Sequence, residues 1–238
     1  MSETNAREEI LSDIKRALRH EQASAKTRRE NVPLSSSQLD VSDIQKDCSQ
    51  RRGELIAEFE AELRRIRGHF YRAATADAAC QYIEQVAIDR QAKAVVGWDA
   101  LPFDDRGLSA MLAQRGIAFE NKLSAADVIA SASAADIGLS GVDYALADTG
   151  TLVLLAGNGR PRSISLLPPV HIAVVRPDQV LSGLNDLFPI LRSDAAADGK
   201  ALTSAITFIT GPSRTADIEL TLVVGVHGPQ ELHVVLLD

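Results

Sequence analysis

The sequence predicts an α/β fold in which helices flank a mixed, mainly parallel sheet, with a helical extension at the N-terminus. Its 238 residues suit one large domain, and the 45% that are hydrophobic can fill a sizeable core. Segments with strand and helix periodicity alternate between residues 70 and 120, as they do in βαβ units. Apolar residues recur at helical spacing near the N-terminus, so a helix is predicted ahead of the sheet.

Residues 1–50 are expected to form a helix and a polar linker, followed by the α/β domain at residues 51–238. Residues 8–21 place an apolar stripe between charged side chains, which predicts an amphipathic helix. Residues 23–50 are polar and include a run of three serines, which is typical of a linker. The amphipathic helix is expected to pack on its own domain or on a second copy, which leaves homo-oligomerisation open.

Helices and strands alternate through the first half of the α/β domain. Thr75 is expected to cap the helix that follows it, and Gly116 to end a later one. Glu60 and Arg64 stand four residues apart, in the favourable order for a helical ion pair. The predicted elements are helix 53–67, strand 70–73, helix 76–90, strand 92–97, a helix from 104 or 105 to 116, strand 117–120 and helix 124–132.

Short strands and turns are predicted beyond residue 135. Residues 136–155 are expected to contain short strands joined at Gly141 and Gly150. Residues 163–175 are expected to form two strands broken at a pair of prolines, because proline cannot donate to a central ladder. The remaining predicted elements are helix 177–191, strand 202–209 and strand 231–237.

The segment at residues 217–225 fits two structures. Apolar residues alternate along it, which favours a strand, but a helical stripe can also be drawn through it. We predict a helix, because Gly211 and Ser213 resemble a helix start and Gly225 a helix end. Such a helix would serve as the crossover that parallel pairing of the last two strands requires.

A dense polar cluster follows Gly211. If a helix begins there, its N-terminal N–H groups attract an anion, and Arg214 adds a fork suited to carboxylate or phosphate. The cluster therefore predicts a site for a small carboxylate, a phosphate or a nucleotide pyrophosphate. In the structural alternative Ser213 caps the helix, while Arg214 pairs with Asp217 or Glu219.

A second cluster reads Asp148-Thr149-Gly150-Thr151. Glycine between threonines at a strand end lets the backbone approach a ligand, although such residues also build hairpin turns. His227 lies near the last strand and is the candidate acid or base, but a lone histidine is more often structural. We expect this cluster, residues 211–215 and His227 to converge on one pocket, because strand ends of a parallel sheet share a crevice.

Composition excludes several classes of function. A formal net charge of −7 argues against general binding of nucleic acid. Cys48 and Cys80 are too few for a zinc or iron–sulfur site, so no metal site and no cluster of the chain's own are expected. No signal peptide and no apolar run long enough to span a membrane is visible, so a soluble, cytoplasmic protein is expected. The motifs of zinc proteases, serine hydrolases and P-loop proteins are missing.

Three stretches resemble the lactate-utilisation protein C (LutC/YkgG) family, which carries the LUD domain. They read ADIGLSGVDYALADTGTLV at residues 135–153, SLLPPVHI at 165–172, and ITGPSRTADIE with GVHGP within 209–229. His227 in the last stretch is the catalytic candidate. The other polar or glycine positions taken as ligand-binding candidates are Asp148, Thr149, Gly150, Thr151, His171, Gly211, Ser213, Arg214, Thr215, Asp217, Glu219 and Gly228.

The resemblance implies a NagB/RpiA/CoA-transferase-like fold and a role in oxidising L-lactate to pyruvate beside iron–sulfur companion proteins. Because this chain lacks cysteine motifs, it is expected to be the non-iron–sulfur subunit that binds an anionic substrate or cofactor. The identity of that cofactor, and whether the chain alone is an enzyme, stay open. The alternative is a free-standing enzyme acting on an acyl or phosphorylated small molecule, which rests on fold analogy alone.

Overall fold

The computed structural model describes residues 40–238, with gaps at residues 125, 158, 198–202, 204, 217–221 and 226. The predicted helix at residues 8–21 therefore lies outside the described residues. The helices in the described ranges are α1 Val41–Gln50, α2 Arg52–Arg65, α3 Ala76–Asp89, α4 Arg106–Gln114, α5 Val128–Ala134, α6 Ser163–Leu166 and α7 Leu184–Ala197, with a 3-10 turn at Pro177–Gln179. None of these helices combines the length and the hydropathy that crossing a membrane requires.

The strands of the same ranges form three sheets. They are β1 His69–Ala73, β2 Ala94–Gly97, β3 Ala118–Glu120, β4 Ile137–Gly141, β5 Tyr144–Leu146, β6 Thr151–Leu155, β7 Val170–Val175, β8 Val180–Leu181, β9 Ile206–Ile209, β10 Arg214–Ala216, β11 Leu222–Val224 and β12 Glu231–Leu237. Six of them build a sheet in the order β1-β12-β7-β4-β2-β3. All its pairings are parallel, so the predicted α/β fold with a mainly parallel sheet and flanking helices is confirmed.

The central strands of the parallel sheet, β4, β7 and β12, are buried on both faces. Successive residues of β7 point to opposite sides, so Ile172 and Val174 face one layer while Ala173 and Val175 face the other. Helices α3 and α4 cover the first face. Helices α1, α2, α5, α6 and α7 cover the second, together with a smaller sheet. Burial on both faces explains why the central strands are nearly continuous apolar runs.

The smaller sheet has the order β8-β5-β6-β9. Strand β6 pairs antiparallel with both β5 and β9, and β8 joins β5 in parallel. Its strands supply Ala145, Leu152 and Val180 to the core beneath the parallel sheet. The two sheets therefore pack into one core.

The predicted crossover helix between the last two strands is wrong. Strand β9 pairs with β6 in the smaller sheet, whereas β12 lies inside the parallel sheet. Between them, β10 and β11 form an antiparallel hairpin, and residues 217–221 lie outside the described residues. Gly211 and Gly225 both have φ of +84°, and Ser213 closes the base of the hairpin by accepting from Gly225 N at 3.0 Å. The alternating apolar pattern, which favours a strand, therefore predicted the described part of this segment better than the glycine positions did.

The linker predicted through residue 50 is wrong for its last ten residues, which form α1. Asp40 caps this helix, because its Oδ1 accepts a hydrogen bond from Ser42 N at 3.1 Å. Ile44 and Cys48, four residues apart, are buried against the core. Only two of the ten residues of this helix are buried, so its apolar stripe is weak. The many polar residues explain why the segment was predicted as a linker. The placement of the domain boundary at residue 50 stays a prediction.

Two further element predictions need correction. The first of the two strands expected within residues 163–175 is instead the short helix α6. The carbonyl oxygen of Ile164, in this helix, lies so close to Gly138 that a Cβ at residue 138 would collide with it. The helix expected at residues 177–191 is instead a 3-10 turn, β8 and then α7. Gly183 separates these last two elements, and a Cβ there would meet the carboxylate of Asp148. Both differences arise from contacts between distant segments, which local periodicity does not report.

The elements predicted in the first half agree with the structure within a few residues. Thr75 caps α3 by accepting from Ala78 N at 3.2 Å. Gly116 has φ of +73° just after α4, as a helix-ending glycine does. The Glu60–Arg64 pair forms at 2.9 Å.

His171 lies in the interior, near the amino end of β7, and is 0% exposed. Its Nε2 is 2.8 Å from Ser140 Oγ, and its Nδ1 has no hydrogen-bond partner among the described residues. Burial, with a smaller contribution from His233, lowers the pKa of His171 to about 3. The imidazole is therefore neutral at physiological pH.

Acid should destabilise the protein through His171. The imidazole titrates near 6.5 when unfolded and about 3 when folded, so its stabilisation is complete above about pH 6.5 and is lost as pH falls towards 3. Between pH 7 and pH 4 the loss should be about 3 kcal/mol. Urea unfolding across this range should show a shallower pH dependence for His171→Gln than for the wild type. Equal slopes in the two proteins would contradict the assignment.

Candidate functional site

The crossovers of the parallel sheet change faces between β2 and β4. Helices α3 and α4, which follow β1 and β2, lie on the first face. Helices α5 and α6, which precede β4 and β7, lie on the second. The segments that leave the carboxyl ends of β2 and β4 therefore diverge. Open α/β sheets bind ligands in the crevice that such a divergence creates.

A cavity of about 630 Å³ opens at the carboxyl ends of β2 and β3. Gly97 ends β2, and Asn121 and Lys122 directly follow β3. Asn121 Nδ2 donates to Asp105 Oδ2, which holds that wall in place. The lining residues are Gly97, Asp99, Asn121, Lys122, Leu123, Ser124, Gly159 and Pro161. This volume is within the range that ligand pockets occupy, and amide, carboxylate and ammonium groups converge on it.

A second cavity, of about 340 Å³, lies between the carboxyl ends of β2 and β4. Trp98 forms part of its wall, and only 3% of that residue is exposed. Its Nε1 is buried without a hydrogen-bond partner among the described residues. A buried donor normally has a partner, so the unpaired N–H makes Trp98 a candidate contact for an acceptor group of a ligand. The guanidinium of Arg160 lies over the indole, 5.5 Å from the ring centroid.

Arg160 is held by Asp143, with Nη1 2.6 Å from Oδ1. The other oxygen of Asp143 accepts from Leu155 N at 2.7 Å. Asp143 thus anchors the arginine to the turn after β4 and to the end of β6. The side chain of Arg160 is 44% exposed, so it can exchange this partner for another anion. A guanidinium fork beside an aromatic face suits a ligand that has a carboxylate or phosphate and a planar group.

Gly159 lines the first cavity and Arg160 lines the second, so the loop that contains them separates the two cavities. Gly159 has φ of +72°, and its carbonyl accepts from Asp99 N at 3.1 Å. A Cβ on Gly159 would lie 3.1 Å from the Cβ of Asp99. The loop is therefore fastened directly to the residue that follows Trp98. We refer to the two cavities and this loop together as the crevice.

The rim of the second cavity carries further cationic and amide groups. Arg176 follows β7 and pairs with Asp178 at 3.1 Å, with about half of each side chain exposed. Gln179 donates to Val142 O at 2.6 Å and accepts from Arg176 N at 2.7 Å. These bonds fix the turns after β4 and β7 against each other. The crevice therefore combines rigid backbone with movable cations, an arrangement that can receive an anion without repacking the sheet.

The predicted cluster at Asp148–Thr151 lies elsewhere, in the turn between β5 and β6. Thr151 Oγ1 is 2.8 Å from both Thr149 Oγ1 and Thr210 Oγ1. Thr149 in turn donates to Asp148 Oδ1 at 3.0 Å. Thr210 directly precedes the second predicted cluster, so the structure brings together two segments that are 59 residues apart. The hydroxyls of this group are bonded mainly to one another.

Both predicted clusters meet the C-terminal end of α2. A Cβ on Gly211 would lie 3.0 Å from Ile66 O, and the exposed side chain of Arg214 donates to the same carbonyl at 3.2 Å. No helix begins at Gly211, because Arg214 lies in strand β10, so the proposed attraction of an anion to a helix N-terminus is wrong. The nearby helix end presents carbonyls, which attract cations rather than anions. The role of these clusters in ligand binding stays a prediction.

The remaining predicted residues are partly placed. Ser213 donates its N–H to Pro229 O at 2.8 Å, and a Cβ on Gly228 would lie 3.3 Å from the Cβ of Ser213. His227 is exposed in this turn. Nothing is described of the side chain of Thr215, and Asp217 and Glu219 lie outside the described residues. His171 belongs to the interior of the parallel sheet rather than to this group.

The residues of the crevice were not predicted as a site. Trp98, Asn121 and Asp143 each stand within two residues of a strand end. A usable signal was present, since ligands bind at the carboxyl ends of parallel strands and the strand ending at Gly97 was predicted. The order of the strands in the sheet decides which of the residues that follow these strands share a crevice. That order was not predicted from the sequence.

Gly150 has a structural explanation that ligand approach does not require. Its φ is +63°, and a Cβ there would lie 2.6 Å from Leu63 N. Gly150→Ala should therefore lower the free energy of unfolding by about 2 kcal/mol or more. Gly107→Ala is the matched control, because a Cβ at this position in α4 meets nothing within 4 Å. Thermal melting should show a lower Tm for the first variant only, and a Tm unchanged in Gly150→Ala would contradict the packing described.

Comparisons with known proteins match most of the domain. A family model for the LUD domain matches residues 56–237. Lactate utilization protein C from Halalkalibacterium halodurans is 40% identical over 149 residues, which cover 63% of this chain and 64% of that protein. The protein of the same name from a Geobacillus species is 31% identical over 192 residues, which cover 78% and 79%. The first alignment thus spans less than two thirds of the relative's length.

A solved structure resembles the fold. The crystal structure of a DUF162 family protein from Deinococcus radiodurans superposes with a TM-score of 0.54 at 22% identity. The superposition covers 79% of this chain and 98% of that one. At this identity the likeness concerns the fold alone.

Proposed function

The chain belongs to the LUD domain family, and on that premise we propose that it serves L-lactate utilisation as a subunit that binds an anionic substrate or cofactor. It would act in the cytoplasm, beside iron–sulfur companion proteins, in the oxidation of L-lactate to pyruvate. The names of its relatives support the lactate role. One structural observation supports the binding role. The crevice at the divergence of β2 and β4 contains Arg160 over a buried indole whose N–H has no partner among the described residues.

The size of the crevice favours a ligand larger than lactate. A three-carbon acid would fill a small part of a cavity of about 630 Å³, whereas pockets of 300–1,000 Å³ commonly hold cofactor-sized molecules. An anionic cofactor could place its charged group at Arg160 or Lys122 and its planar group beside Trp98. Lactate, as a carboxylate, would use the same cations. Substrate and cofactor would therefore lie in adjoining parts of one crevice.

The electrons released by lactate need an acceptor beyond this chain. Oxidation to pyruvate removes two electrons and two protons from the C2 carbon and its hydroxyl. Cys48 and Cys80 are buried in clusters on opposite faces of the parallel sheet, and burial raises the pKa of both thiols. They are poorly placed to serve jointly as redox or cluster ligands. In the proposal, the companion proteins or a diffusible cofactor take up the electrons.

Reconstitution tests the subunit role. We expect the purified chain alone to give no lactate-dependent reduction of an artificial dye, and a mixture with its iron–sulfur companions to give reduction that requires this chain. Turnover by the chain alone would favour the free-standing enzyme instead. Full activity of the companions without the chain would contradict the proposal.

The crevice itself can be tested by fluorescence, because Trp98 is the single tryptophan of the chain. Titration of untagged protein with pyruvate, L-lactate and ADP should change its emission for at least one of them. Arg160→Ala should weaken that binding at least about thirtyfold, since losing a charged contact costs about 2 kcal/mol or more. Arg160→Lys should recover part of it, because a point charge cannot replace a fork.

Arg214→Ala is the matched control, because it removes a cation from the site that was predicted from the sequence, outside the crevice. Unchanged affinity in Arg214→Ala with loss in Arg160→Ala would support the crevice. The reverse result would support the turn cluster at residues 148–151 and 211–215. Melting curves of each variant guard against unfolding, because Asp143 would lose its partner in Arg160→Ala. No emission change with any probe would contradict binding in the crevice.

A further inference from the structure

Three potential metal ligands lie together at the amino ends of β1 and β12. His69 begins β1 and stands beside His233 in the parallel register. Glu231 lies two residues before His233 on β12, so the two side chains point to the same face of the sheet. A ligand atom from each of the three residues lies within 4.8 Å of the others. This cluster is at the opposite end of the strands from the crevice.

The spacing of the cluster suits a tetrahedral ion. His233 Nε2 is 3.3 Å from Glu231 Oε2. Two ligand atoms bound about 2.1 Å from one tetrahedral ion lie about 3.4 Å apart. The third ligand has to approach, because the ring of His69 stacks on that of His233 with centroids 4.4 Å apart. His69 is exposed on an edge strand, so its ring can turn without disturbing the core.

His233 is already oriented as a ligand. Its Nδ1 lies 2.9 Å from the hydroxyl of Tyr82, on α3. Histidines that bind metals usually make such a bond through the other ring nitrogen, which fixes the ring and its tautomer.

We propose that His69, Glu231 and His233 bind one divalent transition-metal ion, with water completing its coordination. Two imidazoles and one carboxylate suit zinc, cobalt or nickel better than the all-oxygen cations magnesium and calcium. Three protein ligands leave a position open to solvent, as in catalytic rather than purely structural zinc sites. The sequence predicts no metal site when only its cysteines and the helical zinc motif are considered. The ligands proposed here come from a Glu-x-His pattern on one strand and a histidine on the neighbouring strand. This arrangement contains no cysteine and no helical metal-binding motif.

Arg90 is the competing cation. Its Nη2 is 2.9 Å from Glu231 Oε2, and 45% of its side chain is exposed. In the absence of an ion the guanidinium neutralises the carboxylate, and a bound ion would displace it towards solvent. Removing Arg90 should therefore strengthen metal binding, which distinguishes a ligand role of Glu231 from a simple surface ion pair.

Metal titration of the untagged, EDTA-treated full chain tests the proposal. Calorimetry with Zn²⁺ and visible absorption with Co²⁺ should show one ion bound per chain. His69→Ala should weaken binding at least about tenfold, the smallest effect usual even for residues that merely orient a ligand. His227→Ala is the matched control, an exposed histidine in another turn, and should bind like the wild type. Arg90→Gln should bind more tightly.

The outcomes are decisive because both histidine variants remove exposed side chains and should leave the Tm unchanged. Absence of stoichiometric binding by the wild type would overturn the proposal. So would equal affinity in the wild type and His69→Ala, or equal losses in His69→Ala and His227→Ala. Unchanged or weaker binding in Arg90→Gln would remove Glu231 from the ligand set and overturn the site as described.

Discussion

Burial of the central strands of the parallel sheet on both faces is the constraint on which the rest of the structure depends. A strand with no exposed face cannot carry charge along its middle, because a buried charge without a partner costs several kcal/mol. Ser140, His171 and His233 are the polar residues buried within this sheet, and both histidines are kept neutral by burial. Covering both faces also requires crossovers on both sides. The change of side between β2 and β4 then opens the crevice, so the same requirement that builds the core creates the candidate site.

Close backbone contacts complete the second layer. Gly138 lets α6 lie against β4, and Gly150 lets the β5–β6 turn lie against α2. In each case a methyl group would occupy space that backbone atoms fill. Gly138 and Gly150, two of the three glycines in the stretch at residues 135–153, are therefore explained by packing. A motif recognised from its glycines and polar residues consequently marks a structural junction as readily as a binding site.

The sequence was sufficient where structure is local. Helices α2, α3 and α4 and strands β1, β2 and β3 follow from periodicity and caps within a few residues. It was insufficient where pairing is between distant segments, as for β9, which pairs with β6 rather than with β12. The site shows the same division. Trp98, Asp143 and Arg160 lie in separate stretches of the sequence, and only the order of the strands brings them together. The compact polar run after Gly211 was predicted as a site for a local reason, because it resembles a helix start. In the structure this segment forms a hairpin instead.

Charged and titratable groups excluded from the middle of the strands collect at the two ends, and the ends differ in chemistry. At the carboxyl ends, Arg160 and Lys122 lie in loops that can exchange partners, which suits reversible binding of an anion. At the amino ends, His69 and His233 are carried by paired strands whose register sets their spacing, which suits a metal ion because ligand distances must be nearly constant. The mobility of the cations, and the fixed spacing of the two strands that carry the imidazoles, therefore follow from position in the sheet. A loop lets a charged side chain move towards a ligand, whereas paired strands fix the distance between the two backbones that carry ligand side chains. The groups at each end of the sheet therefore match the backbone that carries them.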